Sequence, residues 1–334
     1  MSQIDACTPF AKALDLKREH DGGYSTRFPS SFCFGPKAHG GLLVSLVNRA
    51  ASMHFDLSPN KPDQPDVLDL KIHFIRPTGP EDITIYVQDV SISRQTSLIE
   101  IKVYQRGKLN LIGLAVMGNF PSSRGIFFDT RWSLSPAPAE ASIPRLASDS
   151  DPLWISYLCP WHPEGFRRPQ SYVKFFVPME LGDPSYRDTW LTPSDPSFAF
   201  KTEHLGFVGD MTLPILDNFC GESGTGSHAT CIKLGLEQKR HREHGIERAA
   251  DAESGAFTAP MIWVTLSFNM EVKKRLPPEG TRWLFSRCRA RLIKDGRMDN
   301  EILILDEHGQ LVAIVQQVVQ VIDLTDSQDI KAKL

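Results

Sequence analysis

The 334 residues contain no C-x-x-C pair, no H-E-x-x-H motif and no cluster of Cys and His at metal-ligand spacing. Six cysteines (Cys7, Cys33, Cys159, Cys220, Cys231 and Cys288) are spread without paired spacing, so reduced thiols are expected rather than a disulfide framework. His241 and His244 stand three apart, but Lys239, Arg240 and Arg242 beside them would repel a cation; no metal and no cofactor are expected. Charge of one sign is also missing: a formal net charge of -3 gives no electrostatic reason to bind nucleic acid or an anionic membrane. No apolar run is long enough to cross a bilayer, and the first ten residues, MSQIDACTPF, lack the basic-then-apolar layout of a secretory leader. No Ser or Cys sits in a G-x-S-x-G setting, which removes the usual mark of a nucleophile elbow.

What remains is a globular composition, 41% hydrophobic and 23% charged, in a chain long enough to bury a sizeable core. After His39-Gly40-Gly41, the apolar residues Leu42, Leu43, Leu46, Val47 and Ala50 fall on one helical face and predict a helix over roughly 40–55. Its glycine-led start carries amides with little side-chain cover. That is either an approach for a carbonyl oxygen or a plain tight turn into a core helix. Three runs then alternate with period two: Leu68 to Phe74, Ile83 to Val87 and Ile99 to Val103, followed by Leu109–Met117. Period-two runs joined by short turns predict an antiparallel sheet with one covered face.

Residues 121–170 carry seven prolines between Pro136 and Pro169 and read as a linker with some short structure along the surface. Beyond it, strands are expected near Val173–Met179, Thr189–Leu191, Ile262–Met270, Arg282–Leu292, Ile302–Asp306 and Leu311–Ile322. Asp210 precedes Met211, Leu213, Ile215, Leu216 and Phe219, the pattern of an N-cap before an apolar helix. The insertion Gly221–Ala259, rich in glycine, charge and histidine, reads as an irregular loop. Both halves thus repeat strand, helix and antiparallel meander. The expected division is a first unit over 1–122, a linker over 123–170, a second unit over 171–325 with its insertion near 221–259, and a tail over 326–334.

Several segments together carry a family resemblance. They are His39-Gly40-Gly41-Leu42-Leu43, Arg76-Pro77, Ser91–Lys108, Trp190, Gly206-Phe207-Val208-Gly209-Asp210, Val264-Thr265-Leu266 and Leu311–Gln317. In that order they resemble the acyl-CoA thioesterase II family and the wider thioesterase-like superfamily of tandem hotdog proteins. The resemblance implies an α+β double hotdog, two antiparallel sheets each wrapped around a long central helix, and association into homo-oligomers. It implies hydrolysis of acyl thioesters such as acyl-CoA, with Asp210, Thr265 and Gln317 activating water and His39, Gly40 and Gly41 binding substrate. The sequence departs from the family at Ser267-Phe268, where an Asp-His pair is usual, and at Leu42, where the thioesterase II group has Gln. Two other readings keep the shape. One is an enzyme acting on a specialised biosynthetic intermediate as a releasing hydrolase, dehydratase or acyl transferase; the other is a non-catalytic acyl-binding protein. Gln317 shares strand parity with Ala313, Val315, Val319 and Val321, which places an amide on a covered apolar face. Thr265 shares parity with Ser267 and Asn269, which fits a solvated face. The terminal Ala332-Lys333-Leu334 resembles the S-K-L peroxisomal address and predicts that location.

Overall fold

In the computed structural model, the residues described are 7–20, 22–58, 60–122, 125–159, 161–163, 165–180, 182–212, 215–220, 226–246 and 261–323. The terminal tripeptide 332–334 and the remainder of the 221–259 insertion lie outside them.

The first half runs through β1 (Lys17–Arg18), β2 (Tyr24–Arg27) and a small separate pair, β3 (Cys33–Phe34) and β4 (Lys37–Ala38), into helix α1 (Gly40–Asp56). Four strands follow: β5 (Asp66–Phe74), β6 (Asp82–Ser91), β7 (Ser97–Gln105) and β8 (Lys108–Gly118). Alternation holds most cleanly on β7, where Ile99, Ile101 and Val103 are fully buried and the residues between them are not. The second half comprises α2 (Ile143–Ala147), β9 (Trp154–Leu158), β10 (Val173–Pro178), β11 (Tyr186–Pro193), α3 (Leu205–Asp210) and α4 (His228–Glu243), then β12 (Met261–Val272), β13 (Leu284–Arg289), β14 (Ile293–Lys294), β15 (Arg297–Asp306) and β16 (Leu311–Asp323).

The expectation of two sheets is corrected. Among the described residues, one fourteen-stranded sheet runs β1-β2-β6-β7-β8-β5-β12-β16-β15-β13-β11-β10-β9, with β14 paired to β15. Every pairing is antiparallel, and the halves join where β5 meets β12, with Ile72 opposite Phe268 and Leu70 opposite Met270. Alternation along a strand reports which faces are covered but not which strand lies alongside, so this junction leaves no trace in the sequence.

The second helix is also not where the capping pattern put it. Asp210 is the last residue of α3, not the N-cap of a following helix. The six residues Leu205–Asp210 contain two glycines and no apolar period, which hides the helix. Gly206 and Gly209 are there for packing. A Cβ on Gly206 would lie 2.7 Å from Val44 Cγ1 and 2.9 Å from Ser45 N of α1. One on Gly209 would lie 2.9 Å from Val315 Cγ2 of β16. The short helix is thus wedged between α1 and the sheet.

Two more corrections concern the supposed linker and insertion. The proline-rich segment supplies β9, an edge strand of the sheet, with Trp154, Ile155 and Tyr157 buried. Its helix α2 buries Leu146 in a cluster with Phe176, Trp190, Phe285 and Leu305, four residues in register across β10, β11, β13 and β15. Within the insertion, residues 228–243 form α4, whose N-cap Ser227 accepts from Thr230 N–H. The basic run Lys239–Arg242 lies in its last turns, at the negative end of the helix dipole. Gln238 binds edge strand β9 as a neighbouring strand would: its Oε1 accepts from Leu158 N–H at 3.1 Å and its Nε2 donates to Leu158 O at 2.7 Å.

Candidate active site

The two helices meet where each leaves backbone donors uncovered. α1 begins after His39 with no side-chain cap of its own. The missing acceptor comes from α3: Gly41 N–H donates to Asp210 Oδ2 at 2.7 Å. In return α1 serves α3, whose Phe207 N–H donates to Ser45 Oγ at 2.9 Å. This reciprocal capping requires glycine at 41, because a Cβ there would lie 2.5 Å from Asp210 Cβ and 2.6 Å from Gly206 O. Asp210 therefore does act as a helix cap, but for the helix of the other half. A negative group at the positive end of α1 is electrostatically favoured.

Two further side chains converge on this carboxylate. Gln317 of β16, 4% exposed, donates Nε2–H to Asp210 Oδ1 at 2.8 Å. The ring nitrogen Nε2 of His39 lies 3.3 Å from Asp210 Oδ2 and 3.3 Å from the Asp210 carbonyl oxygen. Two acceptors facing Nε2 fit the tautomer that carries its proton there. Burial pushes the His39 pKa down, against the opposing pull of the Asp210 charge, and keeps the ring neutral. Its Nδ1 is buried without a partner among the described residues. The side chains differ in access: Asp210 is 15% exposed and His39 only 1%, so the carboxylate is partly open to solvent and the imidazole is not.

Thr265 is repositioned by a β-bulge. Along the β12–β16 ladder Thr265 pairs with Val319, Ser267 with Val318 and Phe268 with Gln317, the extra residue being Leu266. One inserted residue exchanges the faces of a strand. Thr265 consequently shares the covered face with Val319 and Gln317, instead of the solvated face that simple parity assigned to it. No hydrogen bond links its hydroxyl to Asp210 or Gln317 among the described residues. The structure thus joins Asp210 to Gln317, His39 and Gly41 directly and places Thr265 on the same face of the sheet. Gly40 borders the carboxylate: a Cβ there would lie 3.1 Å from Asp210 Oδ2 and 3.3 Å from Phe74 Cζ.

One polar neighbour was missed in the sequence. Asn300 of β15 stands opposite Gln317 in register and donates Nδ2–H to Gln317 Oε1 at 3.2 Å. Its position between Met298 and Ile302, both buried, is the same signal that marked Gln317. The strand begins at Arg297, five residues before the Ile302 start expected from the sequence, so Asn300 lies inside it and not ahead of it.

Comparison with known proteins gives this geometry a family. A profile of the acyl-CoA thioesterase N-terminal domain matches residues 28–118, and one of the acyl-CoA thioesterase C-terminal domain matches residues 140–321. The chain belongs to the acyl-CoA thioesterase family. Among curated proteins it is similar to the thioesterase-like protein TwmA of Talaromyces wortmannii, 23% identical over 333 residues that cover 94% of this chain and 92% of TwmA. The fold is shared with a hot dog protein of unknown function from Alicyclobacillus acidocaldarius, at TM-score 0.61 and 17% identity, covering 94% of this chain and 97% of that one. It is also shared with the acyl-CoA thioesterase II TesB2 of Mycobacterium marinum, at TM-score 0.55 and 16% identity, covering 93% and 97%. Thioesterase membership makes the chain a hydrolase of acyl thioesters at the level of the family.

Proposed function

We propose that this thioesterase-family protein hydrolyses acyl-CoA by general-base catalysis at Asp210, in a site formed where two fused hotdog units meet. The observation that carries the reading is the convergence of Gly41 N–H and Gln317 Nε2–H on a carboxylate that stays open to solvent. Gly41 N–H and Gln317 Nε2–H each use one oxygen and fix the carboxylate plane; with His39 Nε2 also facing Oδ2, the lone pair left for a water proton is on Oδ1. The water adds to the thioester carbonyl carbon as Asp210 takes its proton. The C–S bond then breaks, and the same proton passes to the departing thiolate.

The Gly41 amide, expected from the sequence to meet a substrate oxygen, is already bound to Asp210. The oxyanion role falls instead to the second N–H of Gln317 Nε2, which has no partner among the described residues, with the Thr265 hydroxyl on the same face. A dehydratase built on a histidine and a carboxylate needs an imidazole that faces its substrate. The burial of His39 argues against that alternative and leaves it the task of holding Asp210.

The test is thiol release from acyl-CoAs of increasing chain length, with wild type and Asp210→Asn compared. The variant is expected to lose on the order of 10²–10⁴ in kcat on whichever substrate wild type turns over. Unchanged turnover in the variant would remove Asp210 from the chemistry. A folded wild-type protein that cleaves no member of the panel would overturn the CoA reading.

A further inference from the structure

Three side chains form a one-directional hydrogen-bond chain that ends on the carboxylate. Asn300 donates Nδ2–H to Gln317 Oε1, and Gln317 donates Nε2–H to Asp210 Oδ1. An ionised carboxylate can only accept, so Gln317 must present its NH2 end to Asp210 and its oxygen to Asn300. Asn300 in turn must present its own NH2 end. That choice leaves Asn300 Oδ1 buried without a partner among the described residues, a cost the fold accepts on a residue only 8% exposed. If Asn300 offered an acceptor instead, Gln317 would be drawn to turn over and face Asp210 with its oxygen. The water-binding carboxylate would then lose a donor, and the N–H assigned to the developing oxyanion would be gone.

We infer that Asn300 is a positioning residue that sets the polarity of the Gln317 amide and thereby the hydrogen bonding of Asp210. The inference rests on the reading of Asp210 and Gln317 as the hydrolytic centre. It assigns Asn300 no contact with substrate; it acts through Gln317.

Asn300→Asp tests this within a single protein by changing pH. A carboxyl group at this buried position has its pKa raised by desolvation. Protonated, it donates O–H to Gln317 Oε1 as the wild-type amide does; ionised, it offers only acceptors. The kcat of Asn300→Asp relative to wild type is expected to fall at least about tenfold between about pH 5.5 and pH 8.5, with KM changed less than about threefold. A ratio that stays flat with pH, while melting shows the variant folded at both ends, overturns the inference. A second measurement guards against a variant that does not fold. Asn300→Ser, which retains a donor, should keep kcat within about fivefold of wild type, whereas Asn300→Leu should lose about tenfold. In a Gln317→Ala background the Leu substitution should have no further effect on kcat. A full further loss in that background overturns the positioning role alone. Full activity of Gln317→Ala by itself would instead overturn the underlying reading of the site.

Discussion

Helix α1 and helix α3 occupy corresponding places in the two halves but are built for different work. α1 runs 17 residues, buries eleven of them and lies against β5, β6 and β7. α3 runs six residues, buries all but Asp210 and stops there, with Met211 N–H closing back on Val208 O at 3.1 Å. The long helix supplies core and a positive end; the short one supplies the charge that sits on that end. Pro214, four residues after Asp210, has no amide to continue a helix. Ending α3 at Asp210 frees its carboxylate to turn toward α1, where a continuous helix would have kept it on a side face. The difference between the halves teaches that the site belongs to their junction and to neither half alone.

Breaking that junction should have the largest effect on stability. Gly41→Ala puts a methyl group against Gly206 O and Asp210 Cβ, two groups that cannot move without separating the helices. We expect a loss of about 3 kcal/mol in chemical denaturation, together with a loss of turnover beyond what the residual folded fraction explains. A protein as stable as wild type would mean the two helices can separate freely.

A smaller effect follows from the buried histidine that opens α3. His204 Nδ1 accepts from Lys201 N–H at 2.9 Å, and Phe10 and Phe198 pack on the ring. Burial, with Lys201 adding to it, lowers its pKa from 6.5 to about 3. The unfolded chain therefore binds a proton below pH 6.5 that the folded chain refuses down to about pH 3, and stability falls as pH falls through this window. Between pH 6.5 and 5 the loss is about 2 kcal/mol from this group. Denaturation of His204→Gln over the same range should show a correspondingly shallower slope, while His39 adds a loss of the same sign to both proteins. Equal slopes would show that His204 is charged in the fold. The smallest change is expected from Ser45→Ala, which removes the return cap on Phe207 N–H and should cost about 1 kcal/mol in denaturation with kcat close to wild type.

Comparing the same two regions shows how much the sequence disclosed. α1 announces itself because its apolar residues recur at helical spacing, and β5 to β8 because theirs alternate. Asp210 and Gln317 were both singled out through the family motifs, Gln317 also as a polar amide on an apolar face, and the structure brings the two side chains together. Three things were not legible, each for a physical reason. α3 is held by close packing of Gly206 and Gly209 against α1 and β16, and glycine spacing reads as a loop. α4 carries few apolar residues, because it meets β9 through Gly235 and the Gln238 amide, so it shows no helical period. The face of Thr265 depends on the bulge at Leu266, a feature of pairing with β16 that β12 alone does not display. In each case the missing information lies in a contact between distant segments.

In the proposed mechanism Asp210 acts as a base toward water and not as a nucleophile, both its oxygens being held by donors. A single turnover in oxygen-18 water, with enzyme in excess over acyl-CoA, separates the two. Solvent label in the first acid released, with none in the peptide that carries Asp210 and no acyl group held covalently on enzyme quenched during the turnover, is the predicted result. Unlabelled acid together with label in Asp210 would show an acyl-aspartyl anhydride and contradict the account.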